Sequence, residues 1–353
     1  MEDNWYKVEN IDEVDSPGLL IYPARVRENI RIAKTFVDKV ERLRPHVKTN
    51  KSPEVTRMFI EAGIYKFKAA TIAEAEMLAM NGAKDVLLAH QPVGPKIKRF
   101  LELAKKYPSV KFSCVVDDVA VGKALGNTDL YIDLNVGMNR TGIDPEKALE
   151  LYNALQAHVV GLHAYDGHLR DPDLSVRQKQ SNEGFERVQK LQAQIPKKLT
   201  IIAGGTPSFS IHAKREDIEC SPGTFIYWDK GYQSVLKEQP FLIAALVITR
   251  VISIPTSDTI CVDLGHKGIA SENPIDKRVY FLNADGLTPV GHSEEHMVLK
   301  TDGSHSFKVG DVLYGVPHHI CPTVNLYDSP NIIENGKYVG NWDTVSRKRK
   351  LTV

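Results

Sequence analysis

Hydrophobic and polar positions follow two different patterns along this chain. From about residue 24 to about residue 235, strand-length apolar runs alternate with longer stretches at helical spacing. The predicted strands are 44–48, 66–70, 85–89, 111–116, 130–134, 159–164, 200–203 and 217–220. Helical spacing runs over 26–40, 72–81, 145–156 and 178–194. Thr71 with Glu74 three residues on is a capping-box pattern, and Pro145 suits a first helical turn. Eight strands alternating with helices predict a closed parallel (β/α)8 TIM-type barrel. The competing fold is an open doubly wound sheet, which normally shows fewer strands and a phosphate-binding turn after the first.

After about residue 238 the pattern changes. Segments 245–254, 258–263, 297–300, 311–315 and 323–327 are β-rich. Short turns such as Asn283-Ala284-Asp285-Gly286 separate them. This predicts a separate all-β domain. The expected division is a barrel over 21–238, with 1–20 and 239–353 forming the β domain. No internal repeat or low-complexity segment is present.

Composition narrows the function by exclusion. In 353 residues, 45 Lys and Arg balance 44 Asp and Glu, a net charge of +1. No basic excess is available to attract nucleic acid or a membrane surface. No apolar run reaches membrane-spanning length; the longest, near 241–248, is strand-sized. Met1-Glu2-Asp3-Asn4 is not a signal-peptide start. Cys114, Cys220, Cys261 and Cys321 are scattered, which points to a reducing cytoplasm and against a disulfide framework. The run Arg347-Lys348-Arg349-Lys350 is expected to be a solvated tail.

Candidate chemistry gathers at the strand ends, where barrel enzymes place their active sites. Lys48 ends the first predicted strand, and a lysine there can form a Schiff base with pyridoxal phosphate. A solvated basic loop is the competing reading of the same stretch. Gly137-Met138-Asn139-Arg140-Thr141-Gly142 follows the fifth strand, and Tyr165-Asp166-Gly167-His168 follows the sixth. Gly204-Gly205-Thr206-Pro207-Ser208 follows the seventh, and Pro222-Gly223-Thr224 the eighth. Gly204, Gly205, Thr206, Gly223 and Thr224 suit a phosphate monoester, through amide N–H groups and hydroxyls. Tyr165 can lie against a flat cofactor, and Arg140 can reach its phenolic oxygen. Simple packing and a surface turn are the alternatives for these two.

These segments, with Arg44-Pro45-His46-Val47-Lys48-Thr49, Ser293-Glu294-Glu295-His296 and His319-Ile320-Cys321-Pro322-Thr323, carry a resemblance. The chain resembles the D-threonine aldolase and D-serine dehydratase family of fold-type III, alanine racemase-like pyridoxal-phosphate enzymes. The resemblance spans both predicted domains. It implies that Lys48 is the Schiff-base lysine, Arg140 lies near the ring, Tyr165 stacks on it and the Gly-Thr steps hold the phosphate. Two positions depart from the pattern. Asn50 stands where the family commonly has histidine. Ser221 stands where alanine racemases have an arginine at the pyridine nitrogen.

His319 and Cys321 form a second motif. In an extended segment residues i and i+2 face one side, so an imidazole and a thiolate can share a divalent ion. A buried Cys beside an ordinary His is the alternative, and the resemblance implies the metal. A thiolate favours zinc, with Mn or Mg left open. His318 is expected to face away, and Glu294, Glu295 and Asp328 to support the site or lie on the surface. His168 is a candidate base, with a hydrogen-bonded structural histidine at the barrel rim as the alternative. Three readings follow. The favoured one, on segment 319–327, is pyridoxal-phosphate- and metal-dependent cleavage of D-threonine to glycine and acetaldehyde. The second is dehydration of D-serine or 3-hydroxyaspartate. The third is a non-catalytic pyridoxal-phosphate homeostasis protein, against which the β domain argues. The resemblance also implies a homodimer acting on a small D-amino acid.

Overall fold

A first short strand, β1 (Gly18–Ile21), precedes seven strands that alternate with helices. These are β2 (Lys66–Ala69), β3 (Asp85–Leu88), β4 (Lys111–Val116), β5 (Asp129–Leu134), β6 (Val159–Ala164), β7 (Thr200–Ala203) and β8 (Ile218–Cys220). They form one parallel sheet in sequence order. Nearly every residue in them is buried, as expected of strands covered on both faces. The computed structural model describes residues 4–303 and 305–353. The first three residues of the N-terminal tetrapeptide therefore lie outside the described residues.

The first predicted strand behaves differently from the others. Pro45 has no N–H to give a ladder, and the segment makes only single bridges, Leu43 to Cys220 and His46 to Lys68. Arg44 N donates to Cys220 O (2.8 Å) and His46 N to Pro222 O (2.9 Å). On the other side Val47 N donates to Lys68 O (3.0 Å) and Lys68 N to Pro45 O (2.9 Å). This seam bonds to both edges of the sheet, beside β8 and beside β2. The curled parallel sheet thus has seven laddered strands and one irregular eighth segment, which delivers Lys48.

Helix starts carry the caps their sequences suggest. Ser52, Thr71, Asp118 and Asp173 each accept a backbone N–H from the first turn of the following helix. Glu74 departs from the capping box, taking Ala70 N (2.6 Å) and the Lys51 ammonium (2.5 Å) instead. The helix expected over 26–40 is Pro23–Thr35; Thr35 Oγ1 turns back to Ile32 O (2.7 Å) and Lys39 is extended. No helix among the described residues is long and apolar enough to cross a membrane.

The second sheet is mostly antiparallel. Its strands are β1, β9 (Ala245–Thr256), β10 (Thr259–Val262), β11 (Val279–Phe281), β12 (Thr288–His292), β13 (Met297–Lys300), β14 (Val312–Pro317), β15 (Asn331–Glu334) and β16 (Lys337–Asn341). The order is β12-β13-β10-β9-β1-β15-β16, with β14 pairing β9 and β11. Segment 323–327 is not a strand. Ile320–Val324 is a helix, with Pro322 in its first turn, where no N–H is needed, and Thr323 Oγ1 donating to His319 O (2.9 Å).

The chain forms two compact units. One comprises Met1–Asn29, Ile226–Ser234 and Phe241–Thr344; the other Ile30–Phe225, Val235–Pro240 and Val345–Val353. The basic run near the C-terminus belongs to the second unit and is not simply a solvated tail. Ser346 N donates to Lys51 O (3.3 Å), Thr352 N to Glu76 Oε2 (3.0 Å), and Arg99 Nη2 to Arg349 O (3.1 Å). Only the side chains of Lys348, Arg349 and Lys350 face solvent.

Candidate active site

The barrel interior is charged at both ends of the seam. Arg44 is buried, and its Nε donates to Glu219 (2.7 Å) and its Nη1 to Asp85 (2.6 Å). Lys66 donates to the other oxygen of Glu219. Burial alone would lower the Arg44 pKa, but Glu219 and Asp85 outweigh it and the group is held firmly charged. Lys66 and Asp85 open β2 and β3, so this network marks the N-terminal end of the strands. Lys48, four residues beyond Arg44, lies toward the other end.

Lys48 is half-buried, and its amine makes no ion pair or hydrogen bond among the described residues. Its Nζ is 5.9 Å from the Tyr165 ring centroid. The Arg140 guanidinium carbon lies 5.2 Å and Lys68 Nζ 5.1 Å from the same centroid. One aromatic ring thus gathers three basic side chains. Glycines hold that ring in place. A Cβ on Gly205 would come 2.5 Å from a ring carbon, and one on Gly167 would collide with the Tyr165 hydroxyl. Arg140 is exposed, on a turn pinned by Asn135, whose Oδ1 accepts from Gly137 N (3.1 Å) and Asn139 N (3.0 Å).

The two Gly-Thr loops are tied together. Thr206 Oγ1 accepts from Gly223 N and Thr224 N, both at 3.1 Å. Sequence reasoning assigned these amides to an anion; here the Thr206 oxygen takes them and its own proton remains to be donated. Asp166 is buried behind the loop, accepting from Ser208 Oγ (2.5 Å) and paired with His212 Nε2 (2.8 Å). Burial would raise its pKa, but His212 and Ser208 overcome this and hold the carboxyl low. His168 is exposed and its Nε2 lies against Gly137; no hydrogen bond joins it to Lys48 or Tyr165 among the described residues.

Sequence reasoning missed the interior polar chain. Lys68 Nζ donates to Ser221 Oγ (2.7 Å) and meets His163 Nε2 (3.1 Å); His163 Nδ1 meets Asp133 Oδ1 (2.7 Å). All four residues are buried. Burial first, then the charge of Lys48, pushes the Lys68 pKa down to about 7. Burial and Lys68 also lower that of His163, against the pull of Asp133. The one local signal was Lys66 and Lys68 two apart in β2, on one face of the strand.

A pyridoxal-phosphate-sized ligand can be tested against these residues. Asn50 is buried, and its Oδ1 accepts from Ser52 N (3.1 Å) while its Nδ2 has no acceptor among the described residues. The Lys48 amine and the Thr206 hydroxyl proton are uncommitted as well. A buried amide donor without an acceptor is costly, so a ligand bringing acceptors beside Lys48 fits.

His319 and Cys321 lie in the other unit. His319 caps the helix Ile320–Val324, so the pair meets across a helix start and not along an extended strand. His319 Nδ1 is 2.5 Å from Glu272 Oε1, and the ring also hydrogen-bonds Cys321. Asp229 Oδ2 accepts from Ile320 N (3.2 Å). Burial would lower the His319 pKa, but Cys321, Glu272 and Asp229 together raise it to about 9. No group of three or more His, Cys, Asp or Glu converges on one point among the described residues. Glu294 and Glu295 are exposed and pair with Lys267 (2.6 and 3.1 Å), so they belong to the surface. The pair still fits a divalent ion. An imidazole and a thiol are side by side, and the imidazole's other nitrogen is oriented by a carboxylate.

Comparison with known proteins defines the class. The family described as "Alanine racemase, N-terminal domain" matches residues 21–230, and "Putative serine dehydratase domain" matches 244–333. Enzymes of the alanine racemase-like fold bind pyridoxal phosphate. Over 359 residues the chain is 26% identical to a D-threonine aldolase of Arthrobacter sp, covering 95% of this chain and 93% of that protein. It is 23% identical over 371 residues to a D-threo-3-hydroxyaspartate dehydratase of Delftia sp. strain HT23, covering 94% and 97%. The solved D-threonine aldolase of Filomicrobium marinum superposes with a TM-score of 0.85 at 25% identity, over 95% of this chain and 96% of that one. The chain belongs to the D-threonine aldolase and D-serine dehydratase family of alanine racemase-like enzymes. Its relatives are aldolases and dehydratases.

Proposed function

We propose that this protein is a pyridoxal-phosphate- and divalent-metal-dependent lyase that cleaves D-β-hydroxy amino acids of the D-threonine type into glycine and an aldehyde. The observation that carries the reading is the free Lys48 amine facing the Tyr165 ring, beside an uncommitted buried Asn50 amide. In this reading the barrel, 21–238, binds the cofactor and the β domain carries the metal motif.

When bound, pyridoxal phosphate supplies the electron sink that lets a bond at the substrate Cα break. A divalent ion, when bound, lowers the pKa of an oxygen it touches. The protein's own residues do the rest. Lys48, whose amine has no competing acceptor among the described residues, would hold the cofactor covalently and carry a proton at Nζ when released. Tyr165 presents a flat face to the cofactor ring, and Arg140, at the same aromatic ring, reaches toward the cofactor's phenolic oxygen. Gly204, Gly205, Thr206, Gly223 and Thr224 line the phosphate position, where Thr206 offers its hydroxyl proton. His319 and Cys321 hold the ion, and Glu272 orients the imidazole. His168, on the rim, takes the β-hydroxyl proton.

Dehydration of D-serine or 3-hydroxyaspartate is the second reading, supported by the serine dehydratase match over 244–333 and the Delftia relative. The β domain and its His319–Cys321 pair speak for a catalyst over a cofactor carrier. Balanced charge and free cysteines fit a cytoplasmic enzyme, and a homodimer is expected. One assay separates the readings. Holoprotein with Mn, Mg or Zn is incubated with D-threonine and with D-serine, and aldehyde is measured against keto acid. Aldehyde from D-threonine supports the aldolase, keto acid the dehydratase, and neither product sinks both.

A further inference from the structure

The interior chain of Asp133, His163, Lys68 and Ser221 has a direction that follows from counting protons. The Asp133 carboxylate only accepts, so the proton lies on His163 Nδ1. The buried ring is disfavoured as a cation, so Nε2 carries a lone pair and Lys68 donates to it. Lys68 donates again to Ser221 Oγ, at 2.7 Å. While Lys68 is protonated, Ser221 therefore cannot point its own proton at it. Its backbone N–H is used by Gly204 O (3.0 Å), and its hydroxyl proton finds no acceptor among the described residues. The side chain is buried, so bulk water does not supply one.

The acceptor must then come from a bound group. Ser221 sits between the two Gly-Thr loops, and its partner Lys68 lies against the Tyr165 face. The charged or titratable groups acting on Lys68 include Lys48, Arg140, Asp133, Asp166, His163 and, on the seam, His46. Asp133 is occupied by His163, and Asp166 by His212 and Ser208. Among the described residues no carboxylate there is free to favour a cationic ring nitrogen, and a protonated Lys68, one hydrogen bond behind Ser221, opposes it. In pyridoxal phosphate the ring nitrogen lies para to the aldehyde carbon, across the ring from the group that reaches Lys48.

We propose that Asp133, His163 and Lys68 are a positioning relay that turns the Ser221 hydroxyl proton toward the cofactor's ring nitrogen and keeps that nitrogen unprotonated. The inference rests on the pyridoxal-phosphate reading above. Below about pH 7, where Lys68 is protonated, the positive charge that a serine lacks is supplied from behind it, by a lysine on β2. An unprotonated ring is a weaker electron sink, so more of the activation of the substrate falls to the β-hydroxyl end.

The test is nitrogen NMR of holoprotein loaded with ring-15N pyridoxal phosphate, recorded from pH 6 to pH 9, together with borohydride trapping. The wild-type resonance is expected in the hydrogen-bonded, unprotonated range throughout. Ser221→Ala is expected to shift it downfield, toward a nitrogen without a donor. Lys68→Met is expected to let it move upfield into the protonated range as pH falls, and His163→Gln guards against misfolding of that variant by leaving Lys68 in place and weakening only its orientation. A wild-type resonance in the protonated range overturns the relay. So does a resonance identical in wild type and both Ser221→Ala and Lys68→Met. In those cases the trapped Lys48 adduct still stands, which separates this failure from that of the cofactor reading. A wild type that traps no cofactor overturns both.

Discussion

Arg44→Met perturbs the seam at its most buried point. The substitution keeps the length of the side chain and removes two hydrogen bonds between charged groups, to Glu219 at 2.7 Å and Asp85 at 2.6 Å. Such bonds contribute about 1.5–3 kcal/mol each. The side chains of Arg44, Glu219 and Asp85 are 1%, 10% and 18% exposed, so screening by water is small for the first two and partial for Asp85. Glu219 keeps Lys66 as a partner, whereas Asp85 is left with none among the described residues. Breaking a buried pair by removing one member costs about 3–5 kcal/mol, and that is the expected loss. Urea unfolding of apoprotein, followed by circular dichroism, should show the barrel transition at lower denaturant with its slope unchanged. Arg44→Met with Asp85→Asn should lose less than the sum of the single variants, because the second change removes the stranded charge. A loss below about 1 kcal/mol would place Arg44 with ordinary surface pairs and refute the reasoning. Cofactor retention should fall in parallel, since the same segment carries Lys48.

Lys48→Ala should abolish both visible cofactor absorbance and the borohydride-trapped adduct; a trapped adduct in that variant removes Lys48 from its role. Chelation, His319→Ala and Cys321→Ala should each lower β-hydroxy amino acid turnover by on the order of 10²-fold with cofactor absorbance unchanged, the scale of losing assistance to proton transfer; full activity after chelation would end the metal assignment. The Lys68 pKa lies near 7, below the ordinary 10.5, so between those values the unfolded chain holds a proton that the folded chain lacks. Stability of wild type relative to Lys68→Met should therefore rise with pH across that window, by up to about 1.4 kcal/mol per pH unit, and a flat difference would contradict the burial effect. Sedimentation of the active enzyme should give a dimer, and an active monomer at assay concentration would exclude one.

The parallel strands were legible because burial on both faces leaves nearly unbroken apolar runs. β4 and β6 begin and end where the runs 111–116 and 159–164 do. The seam was legible as a place for Lys48 but not as an irregular strand, since Pro45 shows its effect only when both neighbours are known. Segment 323–327 misled because β-branched residues were weighed above Pro322 and the Thr323 hydroxyl. Asn335-Gly336, both at positive φ, joins β15 to β16 and was a local hairpin signal left unread. The interior relay had no comparable signal. Lys68 finds His163 and Ser221 across 95 and 153 residues of sequence, so their meeting is a property of the closed sheet. His168 drew attention as a histidine just past the sixth predicted strand, while the buried, bonded His163 lay five residues earlier inside a strand.

The interleaving of the two units bears on how the enzyme is made. The unit that holds Lys48 uses 30–225, then 235–240, and is finished only by 345–353. On the ribosome its last hooks, Ser346 on Lys51 O and Thr352 on Glu76, emerge only after the whole second sheet has been synthesised. The nascent barrel must wait with an unfinished edge near Lys48, and the contacts that complete it close loops of about 276 and 295 residues. Expression at reduced temperature, which slows aggregation of such intermediates, should matter more here than for a barrel whose chain is contiguous. No single cut between the units yields either one whole, so limited proteolysis should nick the chain without releasing a folded half.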